Sequence, residues 1–231
     1  MQSTASTFSS KHSARTLLTA SCALALVAVA LSGVLPHTVP AARAVPEPAI
    51  VSDAWQLDFT QSLPRRITVE VPGTNVPRAY WYVTYVAINN TGTEQMFLPV
   101  IEVVDKNGSV LLANKGVSPR VFDRIVEQER GKPLVAPLAV SGPILQGEDQ
   151  AKYGVAIWEE TDSRPGTFFV FVAGLSGEIL TLVDSGGKPV TDADGKAIKL
   201  RKTRSLEFTV RGDELYAGDP VTAGSATWVM R

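Results

Sequence analysis

The sequence predicts an all-β domain interrupted by a single α-helix, and three observations lead there. Beyond residue 54 the apolar residues fall in short runs separated by Gly, Pro, Asn and Asp clusters, the pattern of a β-sandwich or barrel. Within several runs the apolar side chains recur at every second residue, the period of a strand. One segment, residues 119–130, instead spaces them as one face of a helix does.

Residues 1–44 stand apart from that domain. Residues 1–15 carry only positive charge, at Lys11 and Arg15, and residues 16–36 carry none. After Pro36 and Pro40, Ala42-Arg43-Ala44 supplies a small-x-small cleavage pattern. This is the layout of an N-terminal signal helix, with the cut expected after Ala44. The competing reading is an uncleaved anchor, because 21 uncharged residues can span a bilayer; Thr16, Thr19, Ser21, Ser32 and Gly33 dilute that stretch.

The full chain has 231 residues, 45% of them hydrophobic, with 22 basic against 23 acidic side chains and net charge −1. Without its first 44 residues, which hold three basic side chains and no acidic one, it has 187 residues and net charge −4. Cys22, His12 and His37 all lie in that leader, so the remainder has neither residue type. That excludes a Cys nucleophile, a Ser-His-Asp triad and a His/Cys metal site. No cofactor is expected, and near-neutral charge gives no footprint for nucleic acid. The expected location is outside the cytoplasm: periplasm, cell envelope or extracellular space. A membrane would be touched only through residues 1–44, if they are retained.

After a flexible lead-in over residues 45–53, residues 54–231 read as one domain with no repeat at a fixed period. Residues 55–60 alternate Trp55, Leu57 and Phe59 with polar positions, and residues 66–71 alternate Ile67, Val69 and Val71 likewise. Pro72-Gly73-Thr74-Asn75 is a turn. Residues 79–89 are aromatic and β-branched at both parities, which predicts a central strand covered on both faces. Residues 96–104 read as one further strand, and Asp105-Lys106-Asn107-Gly108 as a hairpin turn into residues 109–112.

Ser118 suits a helix N-cap, Pro119 the first helical position, and Val117 with Phe122 a hydrophobic staple. Val121, Phe122, Ile125 and Val126 form the apolar stripe, and Gly131 can take a left-handed cap. Residues 134–145 are extended, with Pro137 and Pro143 marking edge or connecting character. Residues 153–158, 167–173, 178–183, 196–202, 205–211 and 226–230 read as strands. Asp184-Ser185-Gly186-Gly187 and Asp192-Ala193-Asp194-Gly195 read as turns.

Two stretches together resemble immunoglobulin-like β-sandwich modules of exported bacterial proteins. The first runs from Tyr85 through Asn89-Asn90-Thr91-Gly92, Phe97 and Ile101 to the Asp105–Gly108 turn; the second is Leu145-Gln146-Gly147-Glu148-Asp149 followed by residues 154–158, ending at Trp158. The resemblance covers about residues 55–173 and implies an antiparallel immunoglobulin-like sandwich with the helix at about 119–130 inserted. Its motifs are turns and core positions, so it implies no catalytic residue.

Candidate sites follow from side-chain chemistry. Trp158, Glu159, Glu160 and Trp228 are the expected binding residues, with Trp228 expected to be exposed. Glu148, Asp149, Glu159, Glu160 and Asp162 would suit two-carboxylate glycoside hydrolysis if antiparallel pairing gathered them at one end. Trp55, Tyr80, Trp81, Tyr82, Tyr85 and Trp158 would make a sugar platform if exposed, but aromatic residues in strands more often build core. Asp184, Asp192 and Asp194 echo half a calcium loop without its remaining oxygens, so turns are expected and no metal site. Arg65 and Arg66 open a strand and are expected at the surface. Arg211-Gly212-Asp213 spells an adhesion tripeptide at a strand end, and Asn89 and Asn107 begin glycosylation sequons. The functional expectation is a non-catalytic exported module acting through an unknown protein or glycan partner; the alternative is a carboxylate-dependent carbohydrate-active enzyme.

Overall fold

The structure is a computed structural model that describes residues 46–48, 54–70, 76–161, 166–212 and 221–231, all within one compact unit spanning Ala44–Arg231. The expected signal helix, the cut after Ala44 and the turn at residues 72–75 lie outside the described residues. Among the described residues, no helix is long and apolar enough to cross a membrane.

The described chain is all-β, with antiparallel sheets and one helix. In the first sheet, β3 (Pro77–Ile88) is central. Its ends pair with β1 (Asp58–Gln61) and β2 (Arg65–Glu70), while β8 (Lys152–Glu159) pairs along Tyr80–Ala87. The second sheet is built on β11 (Lys199–Val210), flanked by β12 (Val221–Met230) and by β9 (Gly166–Ala173), with β10 (Ile179–Thr181) at the start of β11. Beyond β9 come β5 (Val100–Val104) and β6 (Val110–Leu112). A short third pair joins β4 (Gln95–Phe97) to β7 (Gly142–Ile144).

Strand alternation explains how β3 serves two cores. Trp81, Val83, Tyr85 and Ala87 enter a core shared with Val170, Val172, Leu206 and Phe208 of the second sheet. Tyr80 and Tyr82 point the other way, into a core with Ile67, Val69, Val155 and Ile157. The helix α1 (Pro119–Gln128) closes that second core with Val121 and Ile125, each fully buried and contributing roughly 1.5–3 kcal/mol. Gly154 lies opposite Tyr85, and a Cβ there would sit 2.2 Å from the Tyr85 ring; the missing side chain is what lets the ring lie across β8.

Several expectations change at element ends. Ser118 is the N-cap residue but makes no side-chain cap hydrogen bond, and Val126 is exposed, because the buried stripe is only the Val121–Ile125 line. Val117 and Phe122 do pack on the second core, and Gly131 takes φ +89°. Residues 96–104 are two strands in different sheets. Pro99 has no N–H to offer a ladder, and the chain crosses there beside Gly174, where a Cβ would lie 2.3 Å from the Leu98 carbonyl oxygen. Residues 196–202 and 205–211 are instead largely one strand, β11, since Thr203 and Arg204 carry no turn chemistry. β12 starts five residues earlier than residue 226, with a bulge opposite Leu206 and Phe208.

A fixed-period repeat is present after all. Leu182 N–H donates to the Ile198 carbonyl (2.9 Å), Ile198 N–H to Val190 (2.8 Å) and Val190 N–H to Leu182 (2.8 Å), closing a ring of three residues spaced by eight. Between them, Asp184 Oδ1 accepts from the Gly186 and Lys188 amides, and Asp192 Oδ1 from the Asp194 and Lys196 amides. Asp105 does the same with Asn107 and Ser109. One Asp-x-x-Gly turn is thus used three times, with Gly108, Gly187 and Gly195 all at φ near +80°.

Candidate functional site

A small cleft of about 70 Å³, open to solvent, lies where the two sheets part at the end of the main core. Trp81 and Trp158, cross-strand partners on β3 and β8, and Phe168 from β9 form its floor. The Phe168 ring sits 6.1 Å from Trp81 and 6.0 Å from Trp158, tilted against both. The β5–β6 turn contributes Asp105 and Lys106, and the end of β8 contributes Glu159, Glu160 and Thr161. Three of the four expected binding residues, Trp158, Glu159 and Glu160, therefore come together here.

Glu160 is the best-held polar group of the cleft. Its Oε2 accepts from Arg66 Nε (2.7 Å) and Trp81 Nε1 (2.9 Å), and its Oε1 accepts from Arg66 Nη2 (3.0 Å). The bidentate Arg pair fixes the carboxylate plane, and the indole fixes its height over the floor. Its backbone N–H donates to the Ala79 carbonyl (2.9 Å), which prolongs the β3–β8 ladder by one residue. Glu159 lines the cleft but pairs with Arg78 Nη1 (3.2 Å) in an exposed ion pair.

The neighbouring arginine holds a second glutamate. Arg65 and Arg66 point to opposite faces of β2; Arg65 is exposed as expected and Arg66 is partly buried, and each pairs with a glutamate. Arg65 Nη1 donates to Glu129 Oε1 just past α1, where Tyr82 Oη also donates (2.9 Å) and Lys132 Nζ donates to Oε2. Burial alone would push the Glu129 carboxyl up. The Lys132 and Tyr82 hydrogen bonds and the charges of Arg65 and Lys132 outweigh it and hold the group below its ordinary range. Tyr82 is pushed up to about 12 by burial and by its hydrogen bond to Glu129. Tyr85 is raised by burial.

Trp228 is not part of the cleft and is not exposed. It is half-buried against the main core, with Lys202 Nζ 5.4 Å and the Arg204 guanidinium 5.3 Å from its ring. It pairs with Arg204, six residues along β11 from the cleft residue Val210, roughly 20 Å away. Glu148 and Asp149 precede β8 whereas Glu159 and Glu160 end or follow it, so the eight-residue strand separates the two acid pairs by roughly 25 Å. Asp162 lies outside the described residues. Tyr80, Trp81, Tyr82, Tyr85 and Trp158 are all buried core residues, and Trp55 packs on the core, so no exposed platform forms from that set.

Asp184 and Asp192 spend an oxygen each on their own turns, and among the described residues no group of three or more His, Cys, Asp or Glu lies together as a metal ion needs. Asn89 is fully buried, its amide donating to the Thr93 and Ile144 carbonyls, so it offers no folded glycosylation site. Asp213 of the tripeptide lies outside the described residues. A second concavity, an apolar groove between the β5–β6 edge and the residues around Leu138, carries no charged lining residue. The cleft with convergent polar groups is the stronger site.

No family model matches the chain, and no curated protein or solved structure does either. The site is therefore argued from its own chemistry. Sequence reading missed Arg66 and Trp81 as its partners; the one available signal was Arg66 entering a strand whose alternation puts it on the same side as Glu160.

Proposed function

We propose that this protein is an exported, non-catalytic immunoglobulin-like β-sandwich module that binds a protein or glycan partner through the cleft over Trp81, Trp158 and Phe168. The observation that carries the reading is the cleft's polar lining. The carboxylate most deeply set in it, Glu160, is neutralised by Arg66 and anchored by an indole N–H, an arrangement that favours orienting a ligand over moving a proton at that group. The two antiparallel sheets with a shared core, and the Asp105–Gly108 hairpin, support the immunoglobulin-like reading. The leader pattern of residues 1–44 supports export.

Expression of the full chain in a bacterial host, followed by fractionation and N-terminal sequencing, tests the export half. The expected product lies outside the cytoplasm and begins at Val45. Full-length protein confined to the cytoplasm would refute it.

A further inference from the structure

We infer that a second copy of this chain pairs with the open edge of β12, extending the second sheet across a two-fold axis at Thr227. This surface is separate from the cleft and does not depend on the binding reading above. The inference begins with a difference between two strand edges. An unpaired edge is a template for another strand, and folded proteins close or guard it. The outer edge of β8 is closed from within the chain. Asn114, at φ +66°, bonds there as a short strand would: its N–H donates to the Ile157 carbonyl (2.7 Å), its Nδ2 donates to the Val155 carbonyl (3.1 Å), and its Oδ1 accepts from the Ile157 amide (2.9 Å). Val135 N–H donates to the Tyr153 carbonyl (2.8 Å). β12 has no such cover. Among the described residues it pairs with β11 alone, and residues 222–227 are all exposed. Residues 221–230 contain no charged side chain and no proline, two of the usual guards of an edge. The bulge opposite Glu207 is pinned by the Ser225 amide (3.2 Å) and hydroxyl (2.8 Å), which both donate to Glu207 Oε2, so the strand is regular from Ala226 onward.

The phase of the ladder selects which groups face outward. Arg201 and Arg231 exchange both of their amide–carbonyl bonds (2.7 and 3.0 Å), so Thr203–Val229 and Ser205–Thr227 are the next bonded pairs. The N–H and C=O of Ala226, Trp228 and Met230 therefore point away from β11. Met230 is only 3% exposed, which leaves the four groups of Ala226 and Trp228 open. β12 itself, run antiparallel about an axis through Thr227, meets all four: Ala226 bonds Trp228 of the second copy, and Trp228 bonds its Ala226. The side chains agree with that register. The small, exposed Ala226 gives room to the half-buried Trp228 ring of the second copy, and the two Thr227 side chains meet as a cross-strand pair. Arg231 comes diagonally across from Ser225 of the second copy, which holds the Glu207 carboxylate, a separation that a long side chain spans. Its one ion pair, Nη1 to Glu102 (3.0 Å), leaves further guanidinium donors. Two contacts of opposite charge, with no like charges along the strand, select a second copy over an arbitrary extended segment.

Analytical ultracentrifugation of the purified residue 45–231 chain tests this. That chain holds every described residue of the compact unit and contains no cysteine. Four main-chain bonds at one edge make a small interface, so a reversible dimer with Kd between about 1 μM and 1 mM is expected. Ala226→Pro removes an outward donor at an edge position, where proline is tolerated, and is expected to weaken the dimer at least about tenfold while leaving the melting curve of the dilute protein unchanged. Thr227→Cys reads the register. Residues facing each other in a non-bonded antiparallel pair stand about 4.5 Å apart at Cα, within disulfide range, so mild oxidation is expected to give a covalent dimer. Thr222→Cys, equally exposed but far from the axis, is expected to cross-link at least about tenfold more slowly. A chain that stays monomeric up to about 1 mM overturns the inference. A dimer that Ala226→Pro leaves unchanged overturns it too, as does cross-linking as fast through residue 222 as through residue 227.

Discussion

Two glutamates in this molecule are held by the same three-part device, on opposite faces of one sheet. On the helix side, Arg65, Tyr82 and Glu129 come together; on the cleft side, Arg66, Trp81 and Glu160 do. Arg65 pairs across the ladder with Tyr82 and Arg66 with Trp81, so one step along two strands generates both. What differs is the cover. Glu129 is 3% exposed, gains Lys132 as a second cation, and lies under the end of α1. Glu160 is 8% exposed, has one cation among the described residues, and opens on the cleft. The same chemistry is closed over by a helix end in one case and borders a cleft in the other.

The largest expected effect breaks the closed member. Glu129→Ala strands the Tyr82 hydroxyl and two cations, and urea unfolding is expected to show a loss of about 3 kcal/mol. At the open member, Arg66→Ala leaves a mostly buried carboxylate with only an indole donor, for an expected loss of about 2 kcal/mol.

Titration separates the two members further. Because the folded Glu129 carboxyl lies below its unfolded value, it adds stability at neutral pH that is lost as pH falls through the folded value. Tyr82 acts in the opposite sense. Its contribution is complete below about pH 10 and is lost as pH rises through the folded value of about 12. Urea melts across a pH series are expected to show a shallower acid limb in Glu129→Gln and a shallower alkaline limb in Tyr82→Phe. The smallest effect belongs to Arg78→Ala. It removes an exposed pair with Glu159 and is expected to change stability by less than about 0.5 kcal/mol, within the scatter of thermal melts.

Much of the scaffold was legible because its signals are local. The double-sided character of β3 is written in adjacent aromatic residues, the Asp105 turn in four consecutive residues, and the helix in its Pro119 start and Val121–Ile125 spacing. The site was legible only by halves. Trp158 and Glu160 stand in a recognisable place at the end of a strand, but their partners lie 94 residues away at Arg66 and 79 away at Trp81. No local pattern reports which strand will bring them close. That Trp228 is half-buried rather than exposed was illegible for the same reason, since Lys202 and Arg204 reach its ring from the neighbouring strand. The split of residues 96–104 depended on which sheets Phe97 and Ile101 join, which is decided by contacts to β7 and β9.

The ring of amides joining Leu182, Val190 and Ile198 has a practical corollary. The chain leaves at Leu182 and returns at its hydrogen-bonded neighbour Ile198, so the fifteen residues between form a self-closed excursion whose two ends stay side by side. Such a module can be lengthened at the exposed Ser185-Gly186 tip without asking the sheets to move. That makes it the natural attachment point for a fluorophore or affinity label with which to follow the protein to its destination.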